Sequence, residues 1–440
     1  MIINSNTVGI IADDLTGAND TALQFKLNDA ETNILLNTNI EPKSSAAQQA
    51  WAISTESRNI DPETAFEKVK NATAFISEKL NPDFFYKKID STIRGNIAVE
   101  ILSMLEVLEY DAAIVMPAFP QEGRTTVGGY HLLKGIPIER TEMARDPHSP
   151  IYESHLPTLF RQQLGENLED LVDNIKLKTI MDGAGPILKK INKKVEDGAK
   201  IIIMDSVSTT DLEQIVLAMG KSNYNLLPVG NAAAAKVLSN IWFPKEDNFE
   251  EVLPIKLPKL PKFIVSGSAT EITAKQIEKF ENNEDYEENS LVIELNMETV
   301  LNGVSQELVD RIKSNLTGEN IVLIHTSKLL NNFDGFADEA IDTDLTKSGL
   351  ASAVTDFLAE LTGKVLTDKK AVLITLGGET SYKCCNRINA NQLQLIDEVL
   401  PAIALSKNAN FDQWIVTKSG NLGGINTLIE VLNYFEKHEE

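Results

Sequence analysis

The sequence contains very little cysteine and no long hydrophobic run. Of its 440 residues only Cys384 and Cys385 are cysteines, and adjacent cysteines rarely form a structural disulfide, so we expect both thiols to be reduced. The five histidines form no recognisable ligand pattern with these thiols, which argues against structural zinc. No apolar run approaches the roughly 20 residues that a membrane-spanning helix needs. These absences indicate an ordinary globular chain.

Positive charge is also scarce, because 64 acidic residues outnumber 41 basic ones and give a net charge of −23. Nucleic acids and anionic membranes are bound through basic patches, so this balance disfavours both as partners and favours a small molecule. The amino terminus has neither a basic segment nor a small-residue cleavage site, which predicts a cytoplasmic protein. The sequence leaves open whether the chain forms a homo-oligomer.

Apolar runs of strand length alternate with segments of helical spacing, which is typical of mostly parallel α/β sheets. A chain of 440 residues is too long for one core, so we expect two domains. The prediction is a domain at 1–243, a linker with four prolines at 244–261, and a domain at 262–440, with the active site in the interdomain cleft. The predicted strands are 8–12, 33–36, 51–54, 112–117, 201–205, 226–229, 263–267, 291–295, 321–327, 371–378 and 413–420, with a long helix over 344–366.

Residues 9–19, GIIADDLTGAN, are the most informative stretch, because an apolar run ends abruptly at Asp13 and Asp14. The run predicts a buried strand and the following turn opens a helix, which places the acid pair where open α/β sheets bind ligands. One interpretation is that Asp14 or Thr16 simply caps the helix. The other is functional, since two adjacent carboxylates repel each other unless one meets a metal, a cation or a proton.

Polar side chains follow other apolar runs of the first half, in STESR (54–58) and KKIDSTIRGN (87–96). Lys88 and Asp90 are two residues apart, so on an extended segment they project to one face and could form a purely structural pair. Ser91 and Thr92 fit equally well as a helix N-cap or as hydroxyl ligands. The role of the glycine-rich loop at 116–132 is left open.

Three strand-to-helix turns of the second half combine glycine with the exposed N–H groups of a helix start, where an anion is favoured. They are SGSAT (266–270), GGETS (377–381) and SGNLGG (419–424). No Walker A sequence is present, because IVLAMGKSN (215–223) lacks its first glycine and ends a helical pattern, which makes Gly220 a helix C-cap. Strand ends of one parallel sheet share an edge, so we expect the three turns to surround one polyphosphate or its adenosine.

These motifs together resemble the four-carbon acid sugar kinases. The likeness rests on GIIADDLTGAND, STESR, KKIDSTIRGN, PAFPQEGRTTVGGYHL and ARDPHSP in the first half, and on VSGSATEIT, LGGETSYKC and VTKSGNLGG in the second. It covers nearly the whole chain. The resemblance implies ATP-dependent phosphorylation of a tetronate or oxo-tetronate at its terminal hydroxyl, with Mg²⁺ as the accompanying ion.

The resemblance also implies roles for individual residues. Asp13 or Asp14 would accept the hydroxyl proton or orient the alcohol, and a guanidinium would bind the carboxylate of the sugar acid. Glu379 would contact Mg²⁺ or merely occupy a first helical turn. Metal ligands, stereochemistry and the identity of the base stay open, and D-threonate or D-erythronate is favoured over a 3-oxo-tetronate or a non-catalytic binding protein. The expected acceptor residues are Asp13, Arg58, Asp90, Ser91, Thr92, Ile93 and Arg94, and the expected ATP residues are Ser268, Gly377, Gly378, Glu379, Thr380, Gly420 and Gly423.

Overall fold

The computed structural model describes residues 6–42, 44, 46–146, 149–245, 255–327, 347–408 and 412–440. The chain divides into two compact units, residues 1–246 and 247–440. Both are α/β units built on largely parallel strands, which confirms the predicted fold class. None of the described helices is both long and apolar enough to cross a membrane.

The first unit is built on eight parallel strands. Their order across the sheet is β2-β3-β1-β4-β11-β5-β10-β9, and a separate three-stranded antiparallel sheet contains β6 to β8. The strands are β1 (Asn6–Ala12), β2 (Glu31–Leu35), β3 (Gln48–Ser54), β4 (Phe84–Lys88), β5 (Ala112–Met116), β6 (Arg124–Val127), β7 (Tyr130–Leu133), β8 (Ile136–Pro137), β9 (Val172–Ile175), β10 (Ile201–Met204) and β11 (Leu226–Gly230).

Helices cover both faces of this sheet, because successive strand residues point to opposite sides and both sides are apolar. Helices α2, α3 and α4 pack in succession on one face, and α1, α8, α7 and α6 on the other. The helices are α1 (Leu15–Lys26), α2 (Pro62–Leu80), α3 (Ile97–Leu108), α4 (Leu156–Leu164), α5 (Leu177–Met181), α6 (Ala184–Glu196), α7 (Thr209–Met219) and α8 (Ala232–Trp242).

One ion pair lies fully inside the core of the first unit. Lys87 Nζ on β4 lies 2.7 Å from Glu100 Oε2 on α3, and both side chains are at most 1% exposed. Glu100 Oε1 accepts a hydrogen bond from Ser57 Oγ at 2.6 Å, and the Ser57 amide donates to the carbonyl oxygen of Asp13 at 3.0 Å. The pair therefore connects β4 and α3 to the segments that follow β1 and β3.

The second unit is also built on a largely parallel sheet with helices between its strands. Strands β13, β14, β12, β15 and β18 are parallel neighbours in that order, and β17 and β16 continue the sheet in antiparallel fashion. Helices α9 and α14 share one apolar cluster with these strands. The elements are β12 (Lys262–Ser266), α9 (Glu271–Glu281), β13 (Ser290–Glu294), α10 (Met297–Asn302), α11 (Gln306–Asn315), β14 (Ile321–His325), α12 (Lys347–Leu366), β15 (Val372–Leu376), α13 (Gly378–Arg387), β16 (Gln392–Leu400), β17 (Ile403–Asn408), β18 (Trp414–Lys418) and α14 (Thr427–His438).

All eleven predicted strands are present, with ends shifted by at most three residues, and Gly220 is the C-cap of α7 as expected. The predicted strands do not include β4, β6, β7, β8, β9, β16 or β17. Strands β6 to β9 are at most four residues long, and polar residues interrupt the apolar pattern of β16, whose side chains are half-buried at several positions. Residues 246–254 of the expected linker and 344–346 of the expected helix lie outside the described residues.

The buried ion pair supports a stability prediction. Glu100→Ala leaves the Lys87 ammonium buried without a carboxylate, and we expect the free energy of unfolding to fall by about 3–5 kcal/mol. The double variant Lys87→Met/Glu100→Leu removes both charges and should lose much less. Urea unfolding of both proteins measures the difference, and an equal loss in the two variants would contradict this account.

Candidate functional site

The first sheet has a switch point between β1 and β4, which are neighbours. From β1 the chain passes to β2 on one side, and from β4 it passes to β5 on the other. Open α/β sheets bind ligands in the crevice at the carboxyl ends of such strands. The segments that follow β1, β3 and β4 bring the predicted acceptor residues to this one edge.

Arg58 joins three carboxylates at this edge. Its Nε lies 2.7 Å from Asp13 Oδ2, and its Nη2 lies 2.8 Å from Asp14 Oδ1 and 3.7 Å from Asp90 Oδ1. Only 13% of the Arg58 side chain is exposed, so solvent screens these interactions weakly. Arg58 is thus the cation that two adjacent carboxylates require.

Asp13 and Asp14 have different surroundings. Asp14 Oδ1 accepts a hydrogen bond from the Gly17 amide at 2.8 Å, which makes Asp14 the N-cap of α1. Asp13 is buried, and its Oδ1 accepts no hydrogen bond from the described residues. Burial alone would raise the pKa of Asp13, but the charges of Arg58 and Lys88 outweigh it and hold that pKa below its usual value. Asp13 is therefore an ionised carboxylate with one unused oxygen.

Residues 90–94 form a tight turn around the Asp90 carboxylate. Asp90 Oδ2 accepts from Thr92 Oγ1 at 2.5 Å and from Arg94 Nε at 2.9 Å. Ile93 is buried and has φ +66°, a strained conformation for a β-branched residue. The alternative structural pairing of Asp90 with Lys88 is wrong, because the turn brings Asp90 to Arg94 and Arg58 instead.

The same turn also corrects the alternative N-cap role of Ser91 and Thr92. Helix α3 begins only at Ile97, with Asn96 as its N-cap residue. The Thr92 hydroxyl is used inside the turn, whereas the half-buried Ser91 hydroxyl makes no hydrogen bond with the described residues. Ser91 therefore keeps a free polar group at the strand end.

Both arginines expected to bind a substrate carboxylate already bind protein carboxylates. Besides its two bonds to Asp90, Arg94 donates from Nη1 to Asp146 Oδ2 at 2.8 Å. Asp146 belongs to the motif ARDPHSP, of which residues 147 and 148 lie outside the described residues. Arg58 and Arg94 also border a cavity of about 330 Å³, whose other walls include Ser149 and Gln163.

Lys88 completes the charge cluster. It is 4% exposed, and a Cβ placed on Gly17 would lie 2.5 Å from its Nζ and 2.6 Å from Asp14 Oδ1. A larger residue at position 17 would have to displace the Lys88 ammonium or the Asp14 carboxylate from the first turn of α1. Four carboxylates, those of Asp13, Asp14, Asp90 and Asp146, share this edge with the cations Arg58, Arg94 and Lys88.

Glu56 is a titratable residue of this edge that the sequence interpretation missed. Its Oε1 accepts hydrogen bonds from the Leu15 amide at 2.9 Å and from Ser54 Oγ at 2.5 Å. Burial and the nearby charge of Asp14 raise the pKa of Glu56 to about 7. Its place in STESR was visible in the sequence, but its contact with the start of α1 was not.

His131, on the β6–β7 hairpin, was missed as well. Its Nε2 lies 3.0 Å from the carbonyl oxygen of Ser91, which can only accept, so Nε2 carries the proton. Nδ1 then accepts from Thr126 Oγ1 at 3.0 Å. Burial lowers the pKa of His131 to about 4, so the ring is neutral at physiological pH. The histidine links the otherwise unexplained 116–132 loop to the turn at 90–94.

The second unit has its own switch point between β12 and β15, and the three glycine turns meet there. The Gly377 amide donates to the carbonyl oxygen of Lys418 at 2.8 Å. Thr270 Oγ1 donates to the carbonyl oxygen of Gly420 at 2.7 Å, and a Cβ on Gly420 would overlap Ser268 Oγ. The predicted convergence of the three turns is therefore present in the structure.

The start of α13 is suited to an anion. Its N-cap Gly377 has φ +117° and provides no side chain, so the first amides of the helix have no cap. Glu379 does not cap them either, because its Oε1 contacts Lys383 Nζ and Thr355 Oγ1, each at 3.0 Å. Gly423 has φ +83°, which also favours glycine. Uncapped amides and side-chain-free turns fit a nucleotide polyphosphate.

No three His, Cys, Asp or Glu side chains of the described ranges are grouped as a metal site requires. Mg²⁺ in nucleotide sites is bound chiefly through the phosphates and water, with one or two carboxylates. Of the predicted residues, Glu379 is the one carboxylate beside the turn at 377–380, and its Oε1 contacts Lys383 and Thr355.

The comparisons with known proteins agree with this division of the chain. Residues 8–238 match the family model of a sugar-binding N-terminal domain, and residues 263–428 match that of a nucleotide-binding C-terminal domain. A solved structure from Haemophilus influenzae has the same fold, with a TM-score of 0.72 and 23% identity over 97% of this chain and 100% of its own. The chain is thus a two-domain protein with a sugar-binding and a nucleotide-binding domain.

Relatives with assigned activities make the class more specific. The chain is 30% identical to D-erythronate kinase of Heliobacterium modesticaldum, over 98% of this chain and 97% of the relative. It is 26% identical to D-threonate kinase of Salmonella typhimurium over 97% and 98%, and 24% identical to 3-oxo-tetronate kinase of Haemophilus influenzae over 94% and 97%. The chain belongs to the four-carbon acid sugar kinase family.

The raised pKa of Glu56 predicts a pH-dependent change in stability. A carboxyl whose pKa rises from 4.5 to about 7 on folding favours the fold when protonated, and that contribution is lost as pH rises between these values. Glu56→Gln does not ionise, so we expect its gain in stability over wild type to be small at pH 5 and to reach roughly 1–3 kcal/mol at pH 8. Urea unfolding at both pH values measures this gain.

Exposed Glu67 on α2 provides the control, because Glu67→Gln makes the same replacement of a carboxylate by an amide at the surface. The control should show no such gain at pH 8. A Glu56→Gln protein with equal stability changes at pH 5 and pH 8 would show that Glu56 is not a desolvated carboxyl.

Proposed function

We propose that this protein transfers the γ-phosphoryl group of ATP to the terminal hydroxyl of a four-carbon sugar acid, with D-threonate or D-erythronate favoured and a 3-oxo-tetronate as the alternative. The observation that carries the proposal is the cluster of Asp13, Asp14 and Asp90 around Arg58 at the switch point of the sugar-binding domain. Relatives that act on these three acids support it. Use of ATP suits a cytoplasmic protein.

Asp13 is the residue we propose to meet the reacting hydroxyl. Its Oδ2 is held by Arg58, and its Oδ1 has a free acceptor site that a hydroxyl proton can occupy. Asp14 is less suited, because its Oδ1 already binds the Gly17 amide and Arg58. The low pKa of Asp13 keeps the carboxylate ionised, so it can orient the alcohol and receive its proton as the phosphate bond forms.

Recognition of the acceptor carboxylate requires one arginine to exchange a partner. Arg94 is the better candidate, since its Nη1 bond leads to Asp146 on a separate segment, whereas its other bonds hold the 90–94 turn together. We propose that the sugar acid replaces Asp146 at Arg94, with Ser91 binding a neighbouring hydroxyl. In this exchange the Asp146 carboxylate leaves Arg94 as the carboxylate of the sugar acid binds, so the number of negative charges in the cluster does not rise.

The nucleotide is proposed to bind at Ser268, the turn from Gly377 to Thr380, Gly420 and Gly423. Glycine at these positions lets the phosphates approach the backbone, and the uncapped amides of α13 point to them. Mg²⁺ bound to the phosphates supplies charge neutralisation of the transferring group.

An acceptor panel tests the proposal. The protein is incubated with ATP, Mg²⁺ and either enantiomer of threonate and erythronate or a 3-oxo-tetronate, and ADP release is followed. We expect turnover with at least one acid and its loss when the divalent ion is chelated. Binding of a sugar acid without ADP release would favour the non-catalytic binding protein instead.

The first variant prediction separates the two aspartates. Asp13→Asn keeps the size of the side chain but removes its basicity, so kcat should fall by about 10²–10⁴-fold. Asp14→Asn retains a good N-cap and should lose far less kcat. Steady-state kinetics with the accepted sugar acid compares them, and near-normal kcat in both variants would make the acid pair structural.

The second variant prediction concerns the nucleotide turn. Gly420→Ala pushes a methyl group into Ser268 Oγ, and an overlap of this kind weakens binding by about tenfold or more. Gly424→Ala is the matched control, because a Cβ there meets no atom within 4 Å. Calorimetric titration with ADP measures both, and equal affinities would remove the 420 turn from the nucleotide site.

A further inference from the structure

Lys418 is a buried lysine at the end of β18, directly before the 419–424 turn, and it is 1% exposed. Its Nζ donates to the carbonyl oxygen of Ser419 at 2.9 Å. It also lies 3.4 Å from Thr273 Oγ1 and 3.5 Å from the carbonyl oxygen of Gly420. The ammonium is therefore held against the glycine turn by neutral oxygen atoms.

No carboxylate of the described residues pairs with Lys418, although a buried ammonium without a partner is costly. Strand β15, its neighbour in the sheet, contains no charged residue. The thiols of Cys384 and Cys385 on α13 stay neutral because burial raises their pKa. Several charged side chains of the adjoining elements pair with one another instead, namely Glu271 with Lys275 on α9, Glu379 with Lys383 on α13, and Lys407 on β17 with Asp412.

The oxygen atoms around Lys418 also connect the glycine turns. The carbonyl oxygen of Gly420 accepts from Thr270 Oγ1 and Thr273 Oγ1, each at 2.7 Å, as well as facing the ammonium. The carbonyl oxygen of Lys418 itself accepts from the Gly377 amide. The charge is thus placed at the point where all three turns are joined.

We propose that Lys418 supplies the fixed positive charge of the nucleotide site, stabilising a bound polyphosphate from behind the 419–424 turn while positioning that turn. The inference rests on the proposed nucleotide site. It adds Lys418, whose charge would attract the bound polyphosphate and whose hydrogen bonds would position the 419–424 turn. An ammonium with no carboxylate partner is balanced by an anion that arrives with the ligand. A lysine with only a packing role would not respond to the ligand.

The proposal has a proton-linkage consequence. Burial lowers the pKa of Lys418 to about 8, so the free protein is about half protonated there at pH 8. A bound polyphosphate favours the charged form and raises this pKa. Nucleotide binding should therefore take up about half a proton at pH 8, and affinity should fall by about tenfold from pH 7 to pH 9.

Calorimetric titration with ADP tests the proposal. Titrations of the 440-residue protein at pH 7, 8 and 9, each in two buffers of different ionisation enthalpy, give the number of protons bound. The phosphates of ADP are already ionised at these pH values and contribute little. Uptake that grows from pH 7 to pH 9 supports the proposal, and binding without uptake overturns it.

Variants of Lys418 test whether the proton taken up on ADP binding is bound by this lysine. Lys418→Met should bind ADP about tenfold more weakly at pH 7, with no proton uptake and no fall in affinity up to pH 9. Lys418→Arg keeps the charge without titrating in this range, so its affinity should exceed that of the Met variant and should not change with pH. Lys407→Met is the matched control, and it should keep the wild-type uptake.

The outcomes separate this inference from the proposed function. Wild-type protein that binds no ADP overturns the nucleotide site, and the role of Lys418 falls with it. Wild-type uptake that persists unchanged in Lys418→Met overturns only the role of Lys418. If the Met variant fails to fold, the wild-type pH series still shows whether nucleotide binding raises the pKa of a group that titrates near pH 8.

Discussion

The acceptor edge of the amino-terminal unit depends on Arg58. Three carboxylates, from Asp13, Asp14 and Asp90, lie around one guanidinium at distances of 2.7 to 3.7 Å. Without that cation they would repel one another in a site that solvent screens poorly. Arginine suits this place because its planar fork can bind several oxygens at once and does not lose its charge, whereas lysine offers a single ammonium.

Both units place their candidate site at a switch point of the sheet, but the side chains at the two edges differ in chemistry. Each sheet has a switch point at which the chain leaves neighbouring strands in opposite directions, between β1 and β4 in one and between β12 and β15 in the other. The first edge is densely charged and mostly acidic. The second is formed by glycine, serine and threonine, with Lys418 as the charge held against it. A net charge of −23 makes such local placement necessary for binding anions.

Local sequence was sufficient to locate both edges but not to assign partners within them. An apolar run ending in two acids, and glycines after three strands, are features that neighbouring residues determine. Partners depend on residues distant in sequence: Arg58 reaches Asp13 across 45 positions, and Arg94 reaches Asp146 across 52. The sequence did not identify Glu56 and His131 as site residues for the same reason. Glu56 accepts from the Leu15 amide at the start of α1, and His131 binds the carbonyl oxygen of Ser91, and no spacing rule predicts either contact. The roles of all these residues in the reaction are still predictions.

The most direct test of the account is the identity of the phosphorylated product. Phosphorus and carbon NMR of the reaction of ATP, Mg²⁺ and the accepted sugar acid would show which oxygen carries the new phosphate. The account predicts a phosphate monoester on the terminal carbon, formed in equal amount with ADP. An acyl phosphate on the carboxylate, or inorganic phosphate as the sole product besides ADP, would contradict it.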